Sequence, residues 1–428
     1  MEWAANITTA NWVGLIQVTL FVFIILLGFP MAFTLLAMSV IFGYYAFFDA
    51  KLFAEVGVFG NRIFDLIVKN AFSTMENHVL IAIPLFLFMG YIVEKAGIVA
   101  RLFNAIRVAT YKLPGSLAVA SLITCAIFST ATGIVGAVVT LMGLLAWPAM
   151  VNNGYNKQFA SGVVTAGGCL GILIMLAGLY IIYVIIAASL NPKLAPKPKL
   201  SEIPPRAKIY KDLVVSFLPL FLIIVLVLGS ILGGLATASE AAAVGAVGAI
   251  GLAFFYKTMN WNMFKDSIYL TARSSTMIIW LFVGSSSFAS VFAYLGGQEI
   301  FDAFFKSLDL APWQFLVVTQ IVIFILGWPL EWTEIIIIFV PIFLPLVKYY
   351  GIDPYFFGIL IGLNLQTSFL SPPMAMAAFY LKGVQGDRVS LQEIFKGGYP
   401  FIFMVILAML LLYNFQGLST WLPKYLFD

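Results

Sequence analysis

The chain has 428 residues, of which 62% are hydrophobic and only 10% are charged. A soluble domain carries about 25% charged residues, so this composition excludes an ordinary soluble protein and predicts a multi-pass protein embedded in a lipid bilayer. The net charge of +4 is too small and too dispersed for a nucleic-acid-binding surface. One histidine and two cysteines exclude a disulfide framework and a His/Cys site for a transition metal.

The first predicted elements, in residues 1–76, are apolar membrane helices together with one amphipathic segment. Residues 52–69 have amphipathic helical spacing, which predicts a helix lying in the membrane interface. The same spacing recurs in residues 98–106 and in residues 300–305. We expect these helices to brace a moving part of the protein against a fixed part. Residues 1–3 carry no basic region or cleavage motif, which predicts no removable signal peptide.

Two apolar segments of the first half contain small and hydroxyl residues, at which we expect membrane helices to break. They are residues 128–136, FSTATGIVG, and residues 166–174, AGGCLGILI. Secondary transporters place binding sites at such breaks because unwound carbonyls and helix ends can replace the water around an ion. Close packing of helices through small residues is the alternative interpretation. The candidate site residues are Ser129, Thr130, Thr132, Gly133, Gly167 and Gly168.

A hydrophilic segment, residues 191–212, divides the chain into two nearly equal halves. It holds six basic residues, two acidic residues and five prolines, a composition that predicts a stiff, solvated linker. Its excess of Lys and Arg predicts a cytoplasmic location. Shortly after it, Thr237, Ser239 and Glu240 precede a long apolar run, which is the pattern of a helix N-terminus.

The second half contains two further predicted breaks, residues 326–334, LGWPLEWTE, and residues 363–373, LNLQTSFLSPP. Glu331 and Glu334 would cost several kcal/mol if they faced lipid, so we expect them to face protein, water or a cation; a helix cap at the membrane interface is the alternative. In the second segment a double proline prevents a regular helix beside several polar side chains. The candidate site residues are Gly327, Glu331, Thr333, Asn364, Gln366, Thr367, Ser368 and Pro372.

A weak internal repeat relates the two halves with an offset of 197 residues. Pro148, Gly154, Phe159 and Leu173 correspond to Pro345, Gly351, Phe356 and Leu370. Residues 94–112 carry four basic residues and one acid, whereas their counterpart, residues 296–312, carries three acids and one base. Opposite Lys/Arg bias predicts opposite sides of the membrane, hence an inverted-topology repeat of the kind found in secondary transporters. A chance distribution of few charges is the alternative.

Four blocks of this sequence resemble the large membrane subunit of tripartite ATP-independent periplasmic (TRAP) transporters. They are residues 82–107, 132–174, 228–246 and 340–373, so the resemblance covers nearly the whole chain. The motif NLQTSFLSPP is the most specific and is similar to the subgroup called mannitol/chloroaromatic. One departure is that Met175-Leu176 stand where the family carries a double proline matching Pro372-Pro373. This departure puts the first cation site in question.

The resemblance implies an all-α fold like that of the ion-transporter superfamily, with a fixed scaffold and a mobile transport domain of two re-entrant hairpins and two broken helices. It also implies an elevator mechanism. The expected organisation is 1–76 N-terminal scaffold helices, 77–190 first repeat (arm helix, hairpin 1, broken helix), 191–212 cytoplasmic linker, 213–267 central scaffold helices, 268–385 second repeat (arm helix, hairpin 2, broken helix) and 386–428 C-terminal helix.

The same resemblance implies sodium-coupled uptake of a small organic anion, such as a carboxylate, across the bacterial inner membrane. A periplasmic substrate-binding protein and a small four-helix (Q-type) membrane subunit are the implied partners, and Na⁺ is the coupling ion, with no other cofactor. Neutral carbonyl and hydroxyl oxygens at the predicted breaks suit sodium, whereas a proton relay would need His or a chain of acids.

Two alternatives remain open from the sequence, and a third is not supported by it. The nearest is a stand-alone sodium–anion symporter of the same fold. A passive channel would need no sodium site. An intramembrane enzyme would need a nucleophile or a metal set, for which the chain supplies no suitable residues, so we expect no enzymatic activity.

Overall fold

The computed structural model describes residues 8–172, 174–196, 206–373, 375–418, 421 and 425, without the side chains of residues 131, 132, 172, 174 and 206–208. No β-strand occurs in these ranges, which agrees with the predicted all-helical class. The α-helices are α1 (Thr9–Leu26), α2 (Met31–Ala46), α3 (Ala50–Val56), α4 (Arg62–Glu76), α5 (His78–Lys95), α6 (Ile98–Ala109), α7 (Ser116–Thr132), α8 (Val135–Asn152), α9 (Lys157–Gly168), α10 (Ile174–Leu190), α11 (Arg206–Leu232), α12 (Ala238–Phe255), α13 (Trp261–Tyr294), α14 (Gly297–Ser307), α15 (Pro312–Leu326), α16 (Trp332–Glu334), α17 (Val340–Tyr349), α18 (Pro354–Ser368), α19 (Met376–Gln385) and α20 (Leu391–Asn414). Short 3₁₀-helices cover Val58–Gly60, Leu170–Ile172 and Gly386–Arg388, and a π-helix covers Ile335–Phe339.

Many of these helices are long and apolar enough to cross a membrane. Among the residues described, eight satisfy that criterion by length and composition: Thr9–Leu26, His78–Lys95, Val135–Asn152, Ile209–Leu232, Ala238–Phe255, Trp261–Tyr294, Trp332–Tyr349 and Leu391–Asn414. A span of the bilayer core takes roughly 20 residues. The protein is therefore a multi-pass membrane protein.

Two of the three predicted amphipathic segments form single helices, whereas the third does not; their location in the membrane interface stays a prediction. α6 and α14 each place apolar side chains on one buried face. The segment 52–69 is instead divided among α3, a 3₁₀ turn and α4. Gly57, with φ of +77°, ends α3 because no helix can continue through that backbone conformation.

The helix start predicted at Thr237 is confirmed as the start of α12. Thr237 is its N-cap, and the Thr237 backbone N–H donates to Glu240 Oε2 at 2.7 Å, completing a capping box.

The linker prediction differs from the structure at one end. α11 begins at Arg206, so residues 206–212 are helical. The described part of the linker before them, residues 191–196, contains turns.

Helix boundaries recur at the 197-residue offset found in the sequence. α8 and the helical segment Trp332–Tyr349 begin and end in register, and α9 and α18 begin in register at Lys157 and Pro354. The short helices α6 and α14 precede them in the corresponding order. The order of elements is thus repeated, whereas the inverted orientation of the two halves stays a prediction.

The connection that follows α8 and the connection that follows α17 agree in backbone detail. Gly154 and Gly351 both adopt the left-handed conformation, with φ of +84° and +66°. Two residues later, the side chains of Asn156 and Asp353 each accept a hydrogen bond from a backbone N–H in the first turn of the next helix, at 2.8 and 2.7 Å. The same capping chemistry therefore starts α9 and α18.

The chain forms two compact units. The first comprises Met1–Leu80 and Ser275–Ile361, and the second comprises Ile81–Ser274 and Gly362–Asp428. α5, α13 and α18 therefore each contribute residues to both units. The scaffold and transport domains implied by the resemblance remain a separate prediction.

In the first unit, the segment from α15 to α17, called the second hairpin from here on, is anchored on α14. Asn11 Nδ2 donates to the carbonyl oxygen of Gly296 at 2.8 Å, which ties α1 to the start of α14. The ring of Phe315, on α15, lies 5.6 Å from that of Phe305 and 4.5 Å from that of Tyr350, measured between centroids. The Tyr350 hydroxyl also donates to the carbonyl oxygen of Phe305 at 3.0 Å.

In the second unit, α9 contacts α7, α8 and α20. Trp147 Nε1, on α8, donates to Ser161 Oγ of α9 at 2.9 Å. On another side of α9, Gly162 faces Gly397 of α20 so closely that a methyl group on Gly162 would collide with the Gly397 backbone. Small residues thus bring these helix backbones together, as in many membrane proteins.

Candidate functional site

The first predicted break is a tight turn between α7 and α8. α7 ends at Thr132, and Gly133 follows in the left-handed conformation with φ of +65°. Ser129, in the last turn of α7, is buried, and its Oγ donates to the carbonyl oxygen of Gly168 at 3.0 Å. Gly168 ends α9 at the second predicted break. The structure therefore brings the two predicted breaks of the first half together.

The remaining candidates of this turn are Thr130, Thr132 and Gly133. Thr130 is half-buried, and its hydroxyl donates to the carbonyl oxygen of Ala126, within α7, at 2.7 Å. Gly133 is exposed. The side chain of Thr132 lies outside the described residues.

Gly167 and Gly168 allow close packing at the end of α9. A Cβ on Gly167 would lie 2.9 Å from Cys125 Sγ on α7, and a Cβ on Gly168 would collide with the side chain of Val139 on α8. The packing interpretation of these glycines is thus supported. Packing and site roles are compatible here, because this close approach lets the Gly168 carbonyl reach Ser129.

The residues that replace the expected double proline lie inside a helix. α10 begins at Ile174, so Met175 and Leu176 occupy its first turn. In the second half, Pro372-Pro373 lie between α18 and α19, and helix resumes only at Met376. Proline lacks an N–H and keeps the preceding residue out of the helical conformation. Because the first half lacks this double proline, α10 begins earlier in the repeat than α19 does, and the break before α10 is shorter.

The end of α18 presents buried oxygen atoms beside the second-half break. Thr367 Oγ1 donates to the carbonyl oxygen of Asn364 at 2.6 Å and lies 3.3 Å from Asn364 Oδ1. Ser368 Oγ donates to the carbonyl oxygen of Leu365 at 2.5 Å. A hydroxyl that donates one hydrogen bond keeps its lone pairs, so Thr367 and Ser368 remain able to accept a bond or to ligate a cation.

Two polar side chains near this break are buried without hydrogen-bond partners among the described residues. Gln366 has no exposed surface, and neither its Nε2 nor its Oε1 is paired. Ser371 Oγ, within the break, is also unpaired, and Pro372 follows it, half-buried. Unpaired buried polar groups cost about 1–3 kcal/mol each, so such groups concentrate where a protein binds water, ions or ligands.

The two acids of the second hairpin differ in burial. Gly327 ends α15, and Glu331, which precedes α16, is only partly buried. Thr333 is 4% exposed and Glu334 has no exposed surface. Sequence reasoning favoured Glu331, whereas Glu334 is the more deeply buried carboxylate. The available signal was that Glu334 directly precedes a run of four isoleucines.

The predicted candidates belong to both units. Those of the first unit are Gly327, Glu331 and Thr333. Those of the second unit are Ser129, Thr130, Thr132, Gly133, Gly167, Gly168, Asn364, Gln366, Thr367, Ser368 and Pro372. Within the second unit, direct hydrogen bonds join Ser129 to Gly168 and Thr367 to Asn364.

These side chains offer mostly neutral oxygen atoms beside broken helices. That donor set suits a hard monovalent cation held by hydroxyl and carbonyl groups. No group of three or more His, Cys, Asp or Glu that could hold a metal ion occurs among the described residues.

Comparison with known proteins identifies the family. The family model described as tripartite ATP-independent periplasmic transporter, DctM component, matches residues 18–191 and 172–418. The C4-dicarboxylate TRAP transporter large permease protein DctM of Pseudomonas aeruginosa is 28% identical over 384 residues, covering 83% of this chain and 88% of that protein. The sialic acid TRAP transporter large permease protein SiaM of Vibrio cholerae is 25% identical over 379 residues, covering 82% and 87%.

Two further comparisons bear on chain length and fold. The isethionate TRAP transporter permease protein DctMQ of Oleidesulfovibrio alaskensis is 27% identical over 410 residues, covering 87% of this chain but 64% of that protein. The crystal structure of the Alcanivorax borkumensis YdaH transporter matches with a TM-score of 0.59 and 16% identity, covering 94% of this chain and 98% of that chain. This last likeness concerns the fold alone.

The family match covers most of the chain and confirms the resemblance, while assignment to the mannitol/chloroaromatic subgroup stays a prediction. The named relatives are transport permeases, and the chain belongs to the DctM component family of tripartite ATP-independent periplasmic transporters.

Proposed function

We propose that this protein is the large membrane subunit of a sodium-coupled uptake system for a small organic anion in the bacterial inner membrane. The observation that carries the proposal is the clustering of buried oxygen-bearing side chains at helix breaks, in a chain of the DctM family. Broken helices at membrane depth are where secondary transporters bind substrates and coupling ions.

Sodium coupling is supported by the chemistry of the breaks. In the first half, the Ser129 hydroxyl and the Gly168 carbonyl meet at the end of α9. In the second half, Thr367 and Asn364 place hydroxyl and carbonyl oxygens at the end of α18. Both arrangements present neutral oxygen ligands, and we propose that each binds one sodium ion. The first-half break is the shorter of the two and lacks the double proline of the second half.

The proposed substrate class follows from the names of the relatives. They are named for C4-dicarboxylates, sialic acid and isethionate, all of which are organic acids. We therefore propose that this chain transports a small organic anion. The hairpins and broken helices would form a transport domain that carries substrate and sodium together by an elevator motion.

The proposed partners are a periplasmic substrate-binding protein and a small membrane subunit of the Q type. The word tripartite in the family description supports three components. This chain spans 64% of the DctMQ relative, so that relative has room for a further segment. A stand-alone symporter is not favoured, because the relatives are named as TRAP permeases.

Reconstitution tests this proposal. Proteoliposomes would contain this chain with the Q-type subunit, and uptake of organic anions would be measured with an imposed sodium or proton gradient, with and without the binding protein. We expect uptake to require both the sodium gradient and the binding protein. Uptake without the binding protein would support the stand-alone symporter, and uptake indifferent to sodium would refute the coupling.

A further inference from the structure

Glu334 is a buried carboxylate that the proposed sodium sites do not use. It has no exposed surface, and its Oε2 has no hydrogen-bond partner among the described residues. Its other oxygen, Oε1, lies 3.5 Å from Thr333 Oγ1, which is long for a hydrogen bond. Burying a charged carboxylate costs several kcal/mol unless another charge or several hydrogen bonds compensate it.

No basic side chain provides that compensation within the described part of the chain. The ion pairs found there join Lys95 to Asp266 and Lys382 to Asp387, and both lie in the second unit. Glu334 belongs to the first unit.

The elements around the second hairpin carry few charges. α15 has no titratable side chain, and Glu331 is the nearest acid along the chain. Lys348 lies fourteen positions beyond Glu334, roughly 20 Å away along a helix. α14, which packs on α17, carries Glu299, Asp302 and Lys306. Lys306 lies over the ring of Tyr349, 5.3 Å from its centroid, also at the distant end of α17.

The backbone is irregular directly after Glu334. Ile335–Phe339 form a π-helix, the segment that joins α16 to α17. Such wide turns are rare and occur often at functional sites. An underpaired carboxylate and a π turn therefore adjoin in the same hairpin. Together they offer a cation a negative ligand, which the neutral oxygens of the other breaks do not.

We infer that Glu334 binds a monovalent cation, Na⁺ or H⁺, which neutralises its carboxylate in each transport cycle. The inference deepens the proposed function and rests on it, because the hairpin must travel with the substrate for this cation to be transported. Ionisable side chains in membrane segments are costly unless paired. A cation that neutralises Glu334 removes this cost and couples its own gradient to hairpin movement.

The first test measures cation binding on the purified chain without substrate. Glu334→Gln removes the charge and keeps the shape, and Glu55→Gln, at an exposed carboxylate of α3, is the matched control. Melting temperature would be followed against NaCl, with choline chloride as reference, at mildly acidic and mildly alkaline pH. We expect Glu334→Gln to lose part of the sodium-induced shift if the cation is sodium. If it is a proton, the variant should lose the acid-induced shift instead.

Uptake in proteoliposomes then tests coupling. Glu334→Gln should lower the Hill coefficient for sodium in the first case, or abolish the pH dependence of uptake in the second. Wild-type responses to both cations in the folded variant would overturn the inference. If Glu334→Gln does not fold, Glu334→Asp retains the charge on a shorter side chain; it should weaken the cation-induced shift, and an unchanged shift would overturn the inference equally. Lack of sodium-driven uptake by the wild-type protein would instead refute the proposed function.

Discussion

The contact between α9 and α20 provides the sharpest structural prediction. Gly162 of α9 faces the backbone of Gly397, and a Cβ on Gly162 would overlap the Gly397 carbonyl oxygen. Backbone atoms cannot rotate away as a flexible side chain does. Gly162→Ala must therefore separate the two helices or distort one of them. Gly178, in α10, is the matched control, because a Cβ there meets nothing within 4 Å.

The expected cost follows from two opposing effects. Overpacking a tight contact destabilises a protein by about 1–3 kcal/mol. Alanine also favours a helix by up to about 1 kcal/mol over glycine. Gly162→Ala should therefore lose about 1–2 kcal/mol of the free energy of unfolding, which corresponds to about a 5–30-fold change in the folded-to-unfolded ratio. Gly178→Ala gains only the higher helix propensity of alanine, so this variant should be as stable as the wild type or slightly more stable.

Unfolding of both purified variants in mixed detergent micelles, titrated with a denaturing detergent, measures this difference. Because α9 ends at Gly168, we also expect Gly162→Ala to reduce sodium-dependent uptake at a normal membrane level of protein. Equal stability of Gly162→Ala and Gly178→Ala would refute the close α9–α20 contact.

Three further predictions concern individual side chains. Ser129→Ala removes the bond to the Gly168 carbonyl, worth about 1 kcal/mol, and should raise the sodium concentration for half-maximal uptake about fivefold. The control is Ser121→Ala, because the Ser121 hydroxyl donates within α7 to the Leu117 carbonyl. It should have a smaller effect, and equal effects would count against a site at Ser129. Trp147→Phe removes the bond to Ser161 Oγ and should lower the free energy of unfolding by about 1 kcal/mol; an unchanged melting temperature would show that this bond contributes nothing. Glu331→Gln should change the rate or coupling of uptake more than expression, and wild-type uptake at all sodium concentrations would make Glu331 structural.

Features set by local sequence were predictable. The Thr237–Glu240 capping box, the amphipathic faces of α6 and α14 and the four helix breaks all arise from residues within a few positions of one another. The exception is the segment 52–69, where one glycine in a left-handed conformation divides a pattern that otherwise suggests a single helix.

Features set by distant contacts were not predictable in the same way. The Ser129–Gly168 bond joins residues 39 positions apart, and the Gly162–Gly397 approach joins two halves of the chain. A three-residue spacing predicts both acids on one helical face, but Glu331 lies in extended backbone before α16, so only Glu334 is helical. The greater burial of Glu334 depends on how this segment packs. Sequence identified the polar side chains, whereas tertiary packing decided which of them are buried.

The most direct test of the account is sodium binding at the end of α18. Equilibrium binding of radioactive sodium to the purified chain would be compared for wild type, Thr367→Val and Thr367→Ser. Valine keeps the shape of threonine and removes the hydroxyl that lies beside Asn364, whereas serine keeps that hydroxyl. We predict about a 5–30-fold loss of sodium affinity for Thr367→Val, from the loss of about 1–2 kcal/mol, and near-normal affinity for Thr367→Ser. Wild-type affinity in folded Thr367→Val would contradict a cation site at this helix break.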